Sequence, residues 1–267
     1  MKLSARAIAT VSALLLAASV AGAQPVVVHV GVVLKALDNP FFVAMYEGVR
    51  AEAGRRQADV SVRAASGYAD LAGQAALVRA LVARNNDCYV VNPITSTNLI
   101  AALRGVRGPI VNVDSPIDVA AASRAGVHIR SFIGTNDVAV GRMAAARMLV
   151  LLPRGGTVAV IGGTVDSVNS KHRLSGFERS VRTTRVRVVA RLDADYDRAK
   201  AQFAAERILH GHPRLSGFFA VNDQMALGVA DAVRAAGKTG SVAIIGVDGI
   251  ADALDAVRNG SISATVS

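Results

Sequence analysis

The chain has 267 residues, 52% of them hydrophobic and 19% charged, with a formal net charge of +10. That composition excludes a disordered chain and allows one large domain or two smaller ones, each with a well-buried core. The positive excess is arginine, 25 against 5 lysines, and it is scattered along the chain with no basic block or aromatic-interleaved patch, which argues against a nucleic-acid surface.

The N-terminus reads as a secretory signal over residues 1–23. Lys2 and Arg6 give a positive start, residues 7–20 are apolar, and Ala21-Gly22-Ala23 supplies the small residues of a cleavage site. The apolar stretch is shorter than the roughly 20 residues that span a bilayer as a helix. Cleavage would leave Gln24 first and take the charge from +10 to +8, by loss of Lys2 and Arg6. Cys88 is the single cysteine, so no intramolecular disulfide is possible in the exported chain. It opens an apolar run and is expected to pack as a small hydrophobe.

The next feature is Asp38-Asn39-Pro40-Phe41-Phe42, between the apolar run 26–34 and a segment of helical spacing over 43–55. Asn39 suits an N-cap and Pro40 the first helical turn, where its missing N–H has no partner to lose. Two consecutive phenylalanines in one turn cannot both face the same core, so at least one is expected to line a cleft. Further along, β-rich runs predict strands at 27–33, 60–64, 88–91, 110–113, 131–134, 157–161, 186–191, 217–221, 242–247 and 262–266. Helical patterns such as 71–84, 138–152, 198–210 and 223–236 lie between most of them. Apolar strands alternating with helices imply parallel sheets covered on both faces, so the class is α/β. One block of this alternation ends near Gly134 and a second begins near Asn136, with no Ser- or Pro-rich linker between them. The expectation is two Rossmann-like lobes, residues 24–134 and 135–267, that meet at a cleft through a short ordered crossing.

In open parallel sheets, ligands bind beyond the carboxyl ends of the strands. Asn39 follows the first strand, and Asp114, Asn222 and Asp248 each directly follow an apolar run, while Arg173 and Tyr196 sit in the loops or first turns after two others. Carboxylates, carboxamides and a guanidinium can exchange hydrogen bonds with a ring of hydroxyls, and Phe41, Phe42 and Tyr196 can cover its apolar C–H faces. The set suits a small neutral sugar or polyol. Each member alone has a plainer reading: Asp114 and Asp248 as caps of turns, Asn222 as the N-cap of the helix it opens, Tyr196 as core.

These residues carry a resemblance. The chain resembles the periplasmic sugar-binding proteins of the ribose-binding type, the solute receptors of ABC importers. The matching segments are Asn39-Pro40-Phe41-Phe42, Val91-Asn92-Pro93, Val113-Asp114, Arg173-Leu174-Ser175-Gly176-Phe177, Asp195-Tyr196-Asp197, Asn222 to Gly228 and Gly246-Val247-Asp248-Gly249. The resemblance implies that Asn39, Phe41, Phe42, Asp114, Arg173, Tyr196, Asn222 and Asp248 contact the sugar. It also implies an ABC permease as partner, a monomeric receptor without a cofactor, and a periplasmic location. The chain departs from the pattern in two places. Ser115 stands where ribose receptors have an arginine, so a different pentose, a hexose or a sugar alcohol is as good a candidate as ribose. The family's chain also runs on beyond the strand that ends at Val266, back into the first lobe, whereas this sequence stops at Ser267. A shortened, binding-impaired relative is therefore one alternative, and a chemosensory receptor that docks on a chemotaxis transducer is another.

Other signals are weak. No dinucleotide or phosphate-loop motif is present, and Gly162-Gly163 lacks the spacing for one. His210 and His212 have no third metal ligand at a familiar spacing, so no metal site is expected. No nucleophile stands beside a base in the sequence pattern, so an enzyme is not expected.

Overall fold

The computed structural model describes residues 27–267, so the signal sequence expected over 1–23 and its cleavage site lie outside the described residues. Strands and helices alternate through the chain. The first part comprises β1 (His29–Leu34), α1 (Pro40–Arg56), β2 (Asp59–Ala64), α2 (Leu71–Val82), β3 (Cys88–Val91), β4 (Ile110–Val113), α3 (Val119–Arg124) and β5 (Ile129–Ile133). The second comprises α4 (Asp137–Leu151), β6 (Gly156–Gly162), α5 (Val168–Val181), β7 (Val186–Asp193), α6 (Arg198–Gly211), β8 (Gly217–Ala220), α7 (Asp223–Ala235), β9 (Ala243–Val247), α8 (Ala251–Arg258) and β10 (Ala264–Val266).

The strands build two five-stranded sheets, ordered β2-β1-β3-β4-β5 and β10-β9-β8-β6-β7, with parallel pairing throughout. Numbered within its own half, the second sheet repeats the 2-1-3-4-5 order of the first. That is a doubly wound order, with a topological switch point between its first and third strands. Each switch point leaves a crevice at the carboxyl ends, β1 against β3 in one sheet and β6 against β8 in the other.

Local chemistry explains the helix starts. Asn39, Asp70, Asp118, Asn136, Ser167, Asp197 and Asn222 each accept a backbone N–H bond at the head of a helix, α1 to α7 in turn. Such caps satisfy donors that a helix leaves unpaired in its first turn. Helix α8 lacks a side-chain cap of its own, and Asp223 supplies the acceptor for Ile250 N instead. Helices α3 and α5 stand apart, one in its length and one in what it buries. The first is only six residues long, and the second buries the polar Asn169, Ser170 and Arg173 along with its apolar residues.

The cores are unequal. Around the second sheet, Phe177, Phe218, Phe219, Ile161, Ile244, Ile245 and Met225 are fully buried in one continuous cluster. Around the first, Val33, Val78, Tyr89, Leu99 and Leu103 form a smaller one, while α1 buries only Phe42 and β5 leaves Phe132 and Ile133 exposed. Helices α4 and α5 touch backbone to backbone. A side-chain carbon at Gly141 would fall 2.0 Å from Arg173 O, and one at Gly176 would fall 2.2 Å from Val138 O. Glycine at both places permits this close approach, which brings Asp137 at the head of α4 alongside Arg173. Among the described residues no helix is long and apolar enough to cross a membrane.

Candidate functional site

One small cavity lies where the carboxyl ends of the two sheets meet. Lys35, Asn39, Phe41, Phe42, Tyr68 and Asp114 line it from the first sheet's side, and Asn169, Arg173, Tyr196, Asn222 and Asp248 from the second. All eight residues singled out by sequence are therefore gathered around one space. The side chains draw in to leave about 20 Å³, a little more than one water needs.

The second side is organised by Arg173. Its Nε donates to Asp137 Oδ1 at 2.7 Å, and its Nη1 donates to Val221 O at 2.6 Å and to Asp248 Oδ1 at 3.2 Å. Burial lowers the affinity of this guanidinium for its proton, but Asp248 and Asp137 more than offset that, and the group stays charged. Desolvation pushes Asp248 up to about 7 against the pull of Arg173, with Asp223 and Asp114 adding repulsion. Asp223 rises to about 6, also through burial, while Thr265 and the Ile250 N–H act against the rise. Asp248 holds a φ of 116° and Asp114 one of 60°, conformations that L-residues seldom adopt. Such strain at the ends of two strands is a common mark of functional backbone.

On the first side Lys35 Nζ lies 2.8 Å from Asp114 Oδ2 and also donates to Ser115 Oγ. Ser115 Oγ in turn reaches Asn169 Oδ1, and Asn169 Nδ2 donates to Asp114 O at 3.1 Å and to Asp137 Oδ2 at 3.0 Å. A continuous polar chain thus runs from Lys35 to Arg173 across the junction of the two halves. The aromatic groups form a second bridge. Phe41 and Phe42 meet edge to face at 5.2 Å, Phe42 leans on Tyr68, and Tyr68 stacks on Tyr196 with ring centroids 4.8 Å apart. Phe41 packs against the core of the second half, so both phenylalanines line the cleft. The Tyr196 ring also lies on the backbone of Gly163, where a side-chain carbon would come within 2.3 Å of it. Desolvation raises both phenols, Tyr196 to about 12.

The capping alternatives resolve residue by residue. Asn39 and Asn222 do cap α1 and α7 through Oδ1, but capping uses only half of each amide. Asn39 Nδ2 reaches Tyr68 OH at 3.2 Å, and Asn222 Nδ2 is buried with no partner among the described residues. Asp114 and Asp248 cap nothing: α3 is capped by Asp118, and the head of α8 bonds Asp223. Their carboxylates are committed to the cavity.

Three residues that line the cavity are absent from the set that the sequence singles out. Lys35 is one residue beyond β1, Tyr68 lies in the loop before α2, and Asn169 is in the first turn of α5. Asn92 directly follows β3, and neither of its buried amide atoms has a partner among the described residues. The unpaired amide is a signal that only the structure carries. For Lys35 the sequence does hold one, its place at the end of the first apolar run.

Comparison with known proteins agrees with this architecture. The model of the periplasmic binding protein domain matches residues 30–267. The D-allose-binding periplasmic protein of Escherichia coli is 35% identical over 243 residues, 88% of this chain and 78% of that protein. The ribose import binding protein RbsB of Bacillus subtilis is 31% identical over 241 residues, 89% of this chain and 75% of that protein. Among solved structures, an ABC transporter periplasmic solute binding protein from Actinobacillus succinogenes with bound D-allose superposes with a TM-score of 0.83 at 27% identity, covering 88% of this chain and 83% of that one. The chain, with its paired parallel sheets and the cavity at their carboxyl ends, belongs to the periplasmic binding protein family, in its ribose-type branch.

Proposed function

We propose that this protein is the exported solute receptor of an ABC-type sugar importer, binding a neutral monosaccharide or polyol between lobes 24–134 and 135–267. The observation that carries the reading is the composition of the cavity. Two strand-end carboxylates, a buried guanidinium, a lysine and an unpaired buried carboxamide converge with four aromatic rings on one space. In this reading Asp114, Asn39 and Lys35 bond hydroxyls from the first lobe, and Arg173, Asn222 and Asp248 from the second. Phe41, Phe42 and Tyr196 cover the C–H faces. The lobes part to admit the sugar and close over it, and the closed form is what a permease reads. A ligand favours closure only through contacts it makes better in the closed state, and groups on both lobes supply them. Micromolar affinity corresponds to about 8 kcal/mol. Several charge-assisted hydrogen bonds at about 1.5–3 kcal/mol each are adequate gross terms before ordering costs are subtracted. Export through the signal sequence would place the receptor in the periplasm.

A thermal-shift screen against pentoses, hexoses and polyols tests the proposal, since a ligand that binds only the folded state raises its melting temperature. D-allose and D-ribose, the sugars named for the relatives, head the panel. Arg173→Ala should abolish any shift found. A shift that survives that change intact would place the site elsewhere.

A further inference from the structure

Beside the central cavity lies a larger pocket, of about 480 Å³. Asn39, Tyr68 and Tyr196 line both spaces, so the tyrosine stack is the partition between them. The outer pocket draws its remaining wall from both halves of the protein, with Asp38 on one side and Thr164, Asp195, Lys200 and Gln224 on the other. Its volume falls within the roughly 300–1,000 Å³ of pockets that hold small ligands.

The wall chemistry limits what such a pocket can take. Lys200 Nζ is already 2.7 Å from Asp195 Oδ2, and Arg198 is held by Asp231 at 2.8 Å. Both cations are neutralised, and Asp38 and Asp197 add negative charge, so the pocket disfavours an anion such as a sugar phosphate. What it offers is a mixture of hydroxyl, carboxamide and carboxylate groups beside the two tyrosine rings, the same kind of surface as the central cavity but wider.

We propose that this outer pocket is a second sugar subsite, accepting the next ring of a neutral disaccharide or glycoside whose terminal ring occupies the central cavity. The linkage would pass Asn39, Tyr68 and Tyr196, the residues common to both spaces. This rests on the sugar-receptor reading above.

Titration calorimetry separates the two ideas. The monosaccharide arm uses D-allose, D-ribose, D-galactose and D-glucose, and the second arm uses cellobiose, lactose and maltose. Each arm is run on the unaltered protein and on Thr164→Trp, which fills the outer pocket, with Gln224→Ala as a milder second variant should the first fail to fold. The expected result is binding of at least one disaccharide that Thr164→Trp weakens roughly tenfold or more, the scale on which an important side chain matters at a binding interface, with monosaccharide affinity unchanged; Gln224→Ala should weaken the same disaccharide selectively but less. Monosaccharide binding without any disaccharide binding would overturn the outer subsite and leave the receptor reading intact. Equal weakening of both sugar classes by the variants would overturn it too. If no sugar of either class binds, the receptor reading falls and the subsite falls with it.

Discussion

Lys35 Nζ stands 2.8 Å from Asp114 Oδ2 with only 6% and 13% of the two side chains exposed, and the same ammonium donates to Ser115 Oγ, 80 positions later in the chain. By the resemblance to ribose receptors, Ser115 stands where an arginine is expected. The cation missing from that position is supplied from the opposite direction, by the residue that follows β1. An arginine at that position would likewise set a positive charge beside Asp114. Geometrically the two cations differ, because a lysine is a point charge and an arginine a planar fork.

Lys35→Met should therefore remove both a sugar-binding donor and the counter-charge of Asp114. Breaking a buried ion pair by removing one partner costs about 3–5 kcal/mol, so the melting temperature should fall and any sugar-induced shift should vanish. The double change Lys35→Ser with Ser115→Arg restores a cation beside Asp114. It should recover most of the stability and move sugar preference toward ribose, as read by calorimetry. An unchanged melting temperature for Lys35→Met would show that the pair contributes nothing.

Asp248 gives the protein a pH dependence of defined sign. Its carboxyl rises from an ordinary 3.8 to about 7, first through desolvation, and Asp223 rises to about 6 for the same leading reason. A group whose folded value lies above its unfolded one favours folding below the unfolded value, and that contribution is lost as pH rises through the folded value. Melting temperature measured in the absence of sugar should accordingly decline between about pH 4 and pH 7. Asp248→Asn should flatten that slope, and an unaltered slope would locate the titration in other groups.

The strands were legible because their chemistry is local: every predicted run became a strand, with ends displaced by one or two residues in most cases. The site row was legible for a similar reason, since Asp114, Asn222 and Asp248 each stand one step past an apolar run. Tyr68 and Asn169 were not, because nothing near them in sequence distinguishes a loop tyrosine or a helical asparagine that faces a cleft. Tyr68 enters the site only because α2 and its preceding loop pack beside β1, and it meets Tyr196 only where the two halves touch. Lys35 fell between the two cases. Its position was visible, but the partner that makes it informative, Asp114, follows a different strand, β4.

Asn222 allows its two roles to be separated. Oδ1 caps α7 at Met225 N, 3.0 Å away, while Nδ2 is buried and unpaired among the described residues. Serine caps a helix about as well as asparagine, so Asn222→Ser should leave the melting temperature of the sugar-free protein within a degree or so, each kcal/mol being worth about 2–4 °C at this size. The lost amide donor should lower sugar affinity by about tenfold, the value of one good hydrogen bond to a ligand. A large stability loss with unchanged affinity would make Asn222 a cap and nothing more.

The packing of α4 on α5 is the remaining determinant of the site, because it sets Asp137 against Arg173. Gly176→Ala would place a methyl group 2.2 Å from Val138 O, against backbone that cannot swing aside. The helices must separate, and overpacking of this kind costs about 1–3 kcal/mol. The 2.7 Å bond from Arg173 Nε to Asp137 Oδ1 should lengthen with them, so sugar affinity should fall along with stability. Gly48→Ala is the matched control. It also lies inside a helix, but a methyl group there meets nothing within 4 Å. Replacing that glycine should raise stability by about 0.4–1 kcal/mol through the unfolded chain and leave affinity unchanged. Equal effects of the two substitutions on affinity would show that the spacing of α4 and α5 does not govern the site.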